Sequence, residues 1–165
     1  MSDSLQTLLD TLPQIGEVRW IATRPERGAT MEIVSAVEAV AGKGLTGDRY
    51  ASRNGKRQVT LIQWEHLSVI GGLLGRSAIA PELLRRNIAV AGLNLLALKN
   101  KRFAIGDAML EYTGLCHPCS QMETRFGPGG YNAVRGHGGI TARILESGVI
   151  RVTDKVRMLE KITDQ

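Results

Sequence analysis

Aromatic residues make up only 4% of this 165-residue sequence, which leaves little surface on which nucleic-acid bases could stack. The net charge is +5, but the basic residues are scattered, not massed in a run or along one helix, so no nucleic-acid partner is expected. Apolar runs are short. None approaches the ~20 residues of a membrane-spanning helix, and no membrane partner is expected. Met1-Ser2-Asp3-Ser4 lacks the basic start and apolar stretch of a secretory signal, which predicts a cytoplasmic protein. The glycine-spaced loop Gly42–Tyr50 has no Gly-Lys-Thr ending, so a Walker-type phosphate loop is excluded, and no iron–sulfur or flavin motif appears. With two cysteines and three histidines, a structural zinc site, which normally draws four such ligands, is poorly supplied.

What is present is ordinary for a globular chain, 43% hydrophobic and 22% charged residues, and the length suits one domain. Both cysteines fall in Cys116-His117-Pro118-Cys119. Ser120-x-x-Glu123 fits a capping box, which would set Cys119 just ahead of a helix start, where aligned peptide dipoles favour the thiolate. Pro118 stiffens the approach. On the residues alone four readings stand: a disulfide, a thioredoxin-like redox pair lacking its usual βαβ setting, a zinc site, or one exposed thiolate for a soft metal with Cys116 merely buried.

The rest of the chain frames this loop. Residues 4–12 predict an amphipathic helix with Leu5, Leu8, Leu9 and Leu12 on one face, capped by Asp3 and Gln6, ending at Pro13. Strands are predicted at Val18–Thr23, Ile33–Val40, Arg57–Ile62, Asn87–Gly92, Ala108–Tyr112, Ile140–Leu145, Val149–Val152 and Lys155–Leu159, with Arg24–Gly28 a turn. Trp64–Leu74 predicts a helix with Trp64, Leu67, Ile70 and Leu74 inward, and Pro81–Arg85 a helical turn. Asn94–Leu98 and Arg102–Ile105 suggest a hairpin. Two glycine clusters, Phe126–Tyr131 and Arg135–Gly139, bracket a short helix. Their amides could form anion-binding nests near Arg125, Arg135, His137 and Arg143, or simply surface loops. Many short strands with glycine turns predict a mainly β fold, a barrel with helical insertions: residues 1–15 as a helical extension and 16–165 as one domain.

Six elements in order, Gly44-Leu45-x-Gly47-Asp48-Arg49, Arg57-x-Val59-x-Leu61, Asn87-Ile88-x-Val90-x-Gly92-Leu93-Asn94-Leu95, Ile105–Ala108, Leu115-Cys116-x-Pro118-Cys119 and Arg135-Gly136-x-Gly138-Gly139-Ile140-x-Ala142–Leu145, closely resemble the MOSC domain family. The likeness runs from about Glu17 to Leu159. It implies a MOSC-type β-barrel and a molybdenum cofactor (molybdopterin) whose metal is bound by Cys119, the cysteine after proline. It also implies cofactor-binding roles for Arg49, Arg57, Asn87, Arg125, Arg135, Gly138, Gly139 and Arg143, with His117 and His137 as proton donors. The expected activity is reduction of N-hydroxylated or similar small substrates, with a separate electron-donor protein as partner. The alternative is a carrier of the cofactor or its sulfur to a molybdoenzyme client. One departure is Val152-Thr153-Asp154, where many members have Gly-Asp; a changed turn is expected there.

Overall fold

The computed structural model of the chain describes residues 4–50 and 55–162. In chain order the elements are helix α1 (Leu5–Asp10), strands β1 (Gly16–Thr23), β2 (Glu32–Val34), β3 (Ala36–Val40), β4 (Gly44–Leu45) and β5 (Val59–Gln63), and helix α2 (His66–Leu73). After a 3₁₀ turn at Pro81–Leu84 comes β6 (Ile88–Ala91), and after another at Leu95–Leu98 come β7 (Lys101–Ile105) and β8 (Ala108–Leu115). The chain closes with α3 (Ser120–Phe126), α4 (Gly130–Val134), β9 (Ile140–Glu146), β10 (Gly148–Arg151) and β11 (Lys155–Lys161).

Seven strands form a closed barrel in the order β11-β7-β8-β9-β5-β6-β1, with β1 returning to β11, while β2 hangs from β1 and β3, β4 and β10 make a small second sheet. The mainly β barrel expected from the sequence is therefore observed. All pairings are antiparallel except β5–β6, which run parallel because α2 carries the chain across between them. Those two strands are buried along their whole length, as expected for strands packed on both faces. Val59, Leu61, Ile88 and Val90 join the barrel interior with Phe103, Ile105 and Ile140. Ile62 and Ala89 point the other way and pack with Trp20, Leu67, Ile70, Met122 and Phe126 beneath the helices. The helices thus cover one outer wall of the barrel, and α3 and α4 are held at its end beside the cysteine loop. Among the described residues no helix is long and apolar enough to cross a membrane.

Several sequence expectations are corrected. Ile33–Val40 is not one strand: residues 32–34 pair with β1 and residues 36–39 with β10, so the chain changes sheets at Ser35. The proposed hairpin is absent, since Asn94 caps a 3₁₀ turn through its side chain and β7 pairs with β8 and β11. Helix α1 is capped by Ser4, whose hydroxyl accepts from Thr7 N; the cap assigned to Asp3 lies outside the described residues. Its leucines face solvent, with Leu5 71% exposed, because the barrel is closed by its own strands and the short helix is tied down by polar contacts: buried Lys101 donates to Leu9 O at 2.9 Å and pairs with Asp10 at 3.6 Å. Trp64 is exposed, and α2 buries Leu67 and Ile70.

Candidate functional site

Strand β8 delivers the cysteine loop and β9 carries the chain back, with Cys116 N donating to Gly139 O at 2.9 Å. Gly139 has φ +86, and a Cβ there or on Gly138 would collide with Leu61 O or Cys116 O respectively. These glycines are required by backbone packing. The loop is pinned by Arg86, only 3% exposed. Its Nε donates to Gly138 O at 2.9 Å and Nη1 to Leu84 O at 2.8 Å, while Nη2 reaches Cys116 O and His117 O at 3.4 and 3.5 Å. Burial pushes the Arg86 guanidinium below its ordinary pKa, with Cys116 opposing that shift.

Cys116 is buried and Cys119 exposed, both as free thiols. The capping box is not formed. Cys119 itself is the N-cap residue, extended at φ −116, and Ser120 lies within α3. Glu123 turns instead to the next turn of chain, accepting from Gly129 N at 2.7 Å and Tyr131 N at 2.9 Å. Those bonds, Tyr131's first, hold its carboxyl below the ordinary value, so the first glycine cluster serves the α3–α4 connection. Among the described residues no cluster of three or more His, Cys, Asp or Glu suits a metal ion.

Cys119 opens onto a cleft of about 810 Å³ whose lining is dominated by arginine. Arg24 and Arg27 come from the segment after β1, Arg49 and Arg57 from the loop around Tyr50, Arg85 and Arg86 from the approach to β6, and Arg125 from α3. No acidic side chain lines the cleft among the described residues. Tyr50 sits among three of these cations, with Arg24, Arg49 and Arg57 at 4.3, 4.6 and 5.4 Å from its ring centre, where the ring quadrupole attracts positive charge. Arg24 is 4% exposed, yet its Nε and Nη2 have no hydrogen-bond partner. Its Nε lies 3.6 Å from Asp48 Oδ1, beyond a hydrogen bond, and that oxygen already accepts from Arg24 N at 2.7 Å and Asn87 Nδ2 at 3.2 Å. Burial pushes Arg24 below its ordinary pKa and Asp48 opposes this. Arg85 is likewise pushed down by burial and then by Arg125. A buried guanidinium with free donors aimed into a cationic cleft suits an anion with several acceptor oxygens.

Of the residues picked from sequence, Cys119, Arg49, Arg57 and Arg125 meet in this cleft. Gly138, Gly139 and His117 line a second, mainly apolar cavity, and His137 lies beside it, its ring 5.0 Å from that of His66. Three fall elsewhere. Asn87 is fully buried and its carboxamide is occupied by Thr60, Ala22 and Asp48. Arg143 pairs with Glu111 on the barrel wall, and exposed Arg135 lines neither cavity. Sequence reasoning missed Arg24, Arg27, Arg85, Arg86 and Tyr50. The Arg85-Arg86 pair next to the Asn87 motif was the available signal; the Arg24–Gly28 segment looked only like a turn.

Comparison with known proteins bears on this arrangement. A family described as MOSC domain matches residues 43–157. Among solved structures, the fold is similar to the YuaD protein from Bacillus subtilis, with TM-score 0.76 and 19% identity over 88% of this chain and 97% of that one. YiiM from Geobacillus stearothermophilus gives TM-score 0.68 and 16% identity over 88% and 75% of the two chains. YiiM from Escherichia coli gives 0.66 and 15% over 90% and 72%. At such identities the likeness is one of fold. No curated protein matches the sequence.

Proposed function

Because the chain belongs to the MOSC domain family, whose match spans more than half of it, we propose that it binds molybdenum cofactor in the arginine cleft, with the Cys119 thiolate as the protein's ligand to the metal. The observation that carries this reading is the exposed Cys119 thiol on the rim of a cleft lined by seven arginines, one of them buried with two unpartnered nitrogens. Both ends of the donor set fit. A thiolate is a soft ligand suited to a transition metal, and planar guanidiniums suit the phosphate of a pterin cofactor.

In this reading Arg24 and its neighbours hold the anionic end, Tyr50 keeps the guanidiniums apart and oriented, and Arg86 fixes the loop that presents Cys119. When bound, the cofactor supplies a metal that accepts and delivers electrons while oxygen leaves a small N-hydroxylated substrate. His117, exposed on the same loop, is the proton donor in this reading. A separate electron-donor protein completes such a reductase. A second reading, a carrier handing cofactor or sulfur to a client enzyme, is favoured by the open cleft and the exposed thiol.

Molybdenum and pterin analysis of protein from a molybdate-replete host tests the assignment. Wild type is expected to carry both, and Cys119→Ser to lose the metal. Wild type free of molybdenum, or Cys119→Ser retaining as much as wild type, would refute it. With metal present, reduction of a hydroxylamine by a chemical electron donor separates reductase from carrier.

A further inference from the structure

The second cavity shares no lining residue with the arginine cleft. Arg86 forms the partition: its guanidinium lines the cleft and donates to the carbonyls of Gly138, Cys116 and His117, all of which line the cavity. The cavity offers about 190 Å³, smaller than the ~300–1,000 Å³ of drug-sized sites and suited to a molecule of one small ring. Its chemistry is opposite to the cleft's. Leu95, Leu96, Leu115 and Pro118 wall it, and no Asp, Glu, Lys or Arg side chain lines it among the described residues.

Its polar groups are few and partly committed. Gln63 accepts from Leu95 N at 3.0 Å and donates to Val90 O and Glu65, and Asn94 Oδ1 accepts from Leu96 N. The imidazoles of His66 and His117 are left to meet a guest. Burial, followed by His137, holds His66 below the ordinary histidine pKa, so near neutral pH it is an uncharged group with one donor and one acceptor. Leu96 and Leu115, which line it, are 46% and 48% exposed and keep apolar surface that no described residue covers.

We propose that this cavity is a binding site for a small, uncharged, mainly apolar molecule with one hydrogen-bonding group, such as an aryl amide, held by His66 and clamped between Leu96 and Leu115. The inference overlaps the cofactor reading only at His117, which lines this cavity; the polar contact assigned here is His66, so it is tested on protein free of metal.

The experiment is titration of isotope-labelled protein with benzamide, followed by NMR, with benzoate as the anionic isostere. Saturable shifts of the His66 imidazole and the Leu96 and Gly136–Gly139 amides are expected, with a Kd of about 10 mM or tighter for a ligand of this size. Benzoate should bind there at least about tenfold more weakly, since no cation lines the cavity. The double variant Leu96→Gln/Leu115→Gln, both at the exposed rim, should weaken benzamide about tenfold, and His66→Gln provides an independent check on the polar contact. Shifts that fail to saturate at the cavity, that appear instead around Arg24 and Tyr50, that are matched by benzoate, or that survive both variants unchanged would overturn the proposal.

Discussion

Replacing Arg86 by Met decides whether that side chain holds the cysteine loop or is merely tolerated beneath it. The change removes two short charge-assisted bonds, to Gly138 O and Leu84 O, and two long ones, to Cys116 O and His117 O. Bonds from a charged donor are each worth ~1.5–3 kcal/mol, so the short pair accounts for roughly 3–6 kcal/mol and the long pair for little. Against this, removing a buried guanidinium relieves a desolvation penalty that amounts to several kcal/mol when a charge lacks good partners. Arg86 has good partners, so the bonds should win by about 2 kcal/mol. Urea unfolding should then show the midpoint falling by roughly 1 M, given a slope of ~1–3 kcal/mol/M. The second readout is local. Cys116, 2% exposed in the wild type, should be alkylated only after opening of the loop, whereas Cys119 reacts directly. A loss of about 2 kcal/mol confined to the loop would speed Cys116 labelling about thirtyfold. If Arg86→Met is as stable as wild type and Cys116 stays protected, the clamp argument is wrong and the loop is held by its strands alone.

Arg24→Met should weaken binding of pyrophosphate at least about tenfold by calorimetry, because the free Nε and Nη2 donors are lost, while the backbone bond from Arg24 N to Asp48 remains; unchanged affinity would remove Arg24 from the site. Asn87→Ala leaves Thr60, Ala22 and Asp48 without their buried partner and should lower unfolding stability by about 3 kcal/mol, yet leave pyrophosphate affinity of the folded protein unaltered. Thr153 has φ +79, a conformation that disfavours a β-branched residue by ~1–2 kcal/mol. Thr153→Gly should therefore raise Tm by roughly 2 °C after the entropy of glycine is counted, and a fall in Tm would refute the strain argument. For pH, His66 is held below its ordinary value, so the unfolded chain binds the proton first as acid is added. The stability it contributes is complete above about pH 6.5 and declines as pH falls through that value toward the folded pKa; His66→Gln should flatten that part of the urea-midpoint profile.

The barrel was legible where patterns are local. Arg57–Ile62 and Asn87–Gly92 each hold a short β-prone stretch, and the structure pairs Val59–Gln63 with Ile88–Ala91 in parallel, both strands buried throughout. Runs were misread where a three-dimensional event breaks them. Nothing in residues 33–40 marks the change of sheet at Ser35, because both halves are equally β-prone and only their partners differ. Asn94–Leu98 looked like a strand although Asn94 is a good capping residue and Leu95 and Leu98 are the buried pair, a spacing of three that fits a 3₁₀ turn. The leucines of α1 carry a helical period with no partner to bury them, since periodicity reports a face but not what meets it. The cysteine loop was visible as chemistry and as a helix start, while its actual cap was not, because Glu123 finds Gly129 and Tyr131 through a turn made only by the folded α3–α4 connection.

The arginines are the clearest case of information held by topology. Barrel closure brings the end of β1, the Tyr50 loop, the approach to β6 and α3 to one place, so residues from 24 to 125 share a cleft without sharing a motif. Once assembled they divide by partner. Arg85, Arg86 and Arg125 each donate to backbone carbonyls, so part of their role is to hold the protein. Arg24, Arg49 and Arg57 instead surround Tyr50, and the only carboxylate ion-paired with any of the three among the described residues is Asp48. Mutual repulsion among them opposes folding, and an aromatic ring offsets it by only ~0.5–2 kcal/mol per cation. A bound anion with several oxygens would remove that repulsion and fill the free donors of Arg24 together. In the proposed reading, ligand binding and stability are therefore coupled through these three residues and Tyr50, whereas the arginines bonded to carbonyls act on the loop whether or not an anion is present.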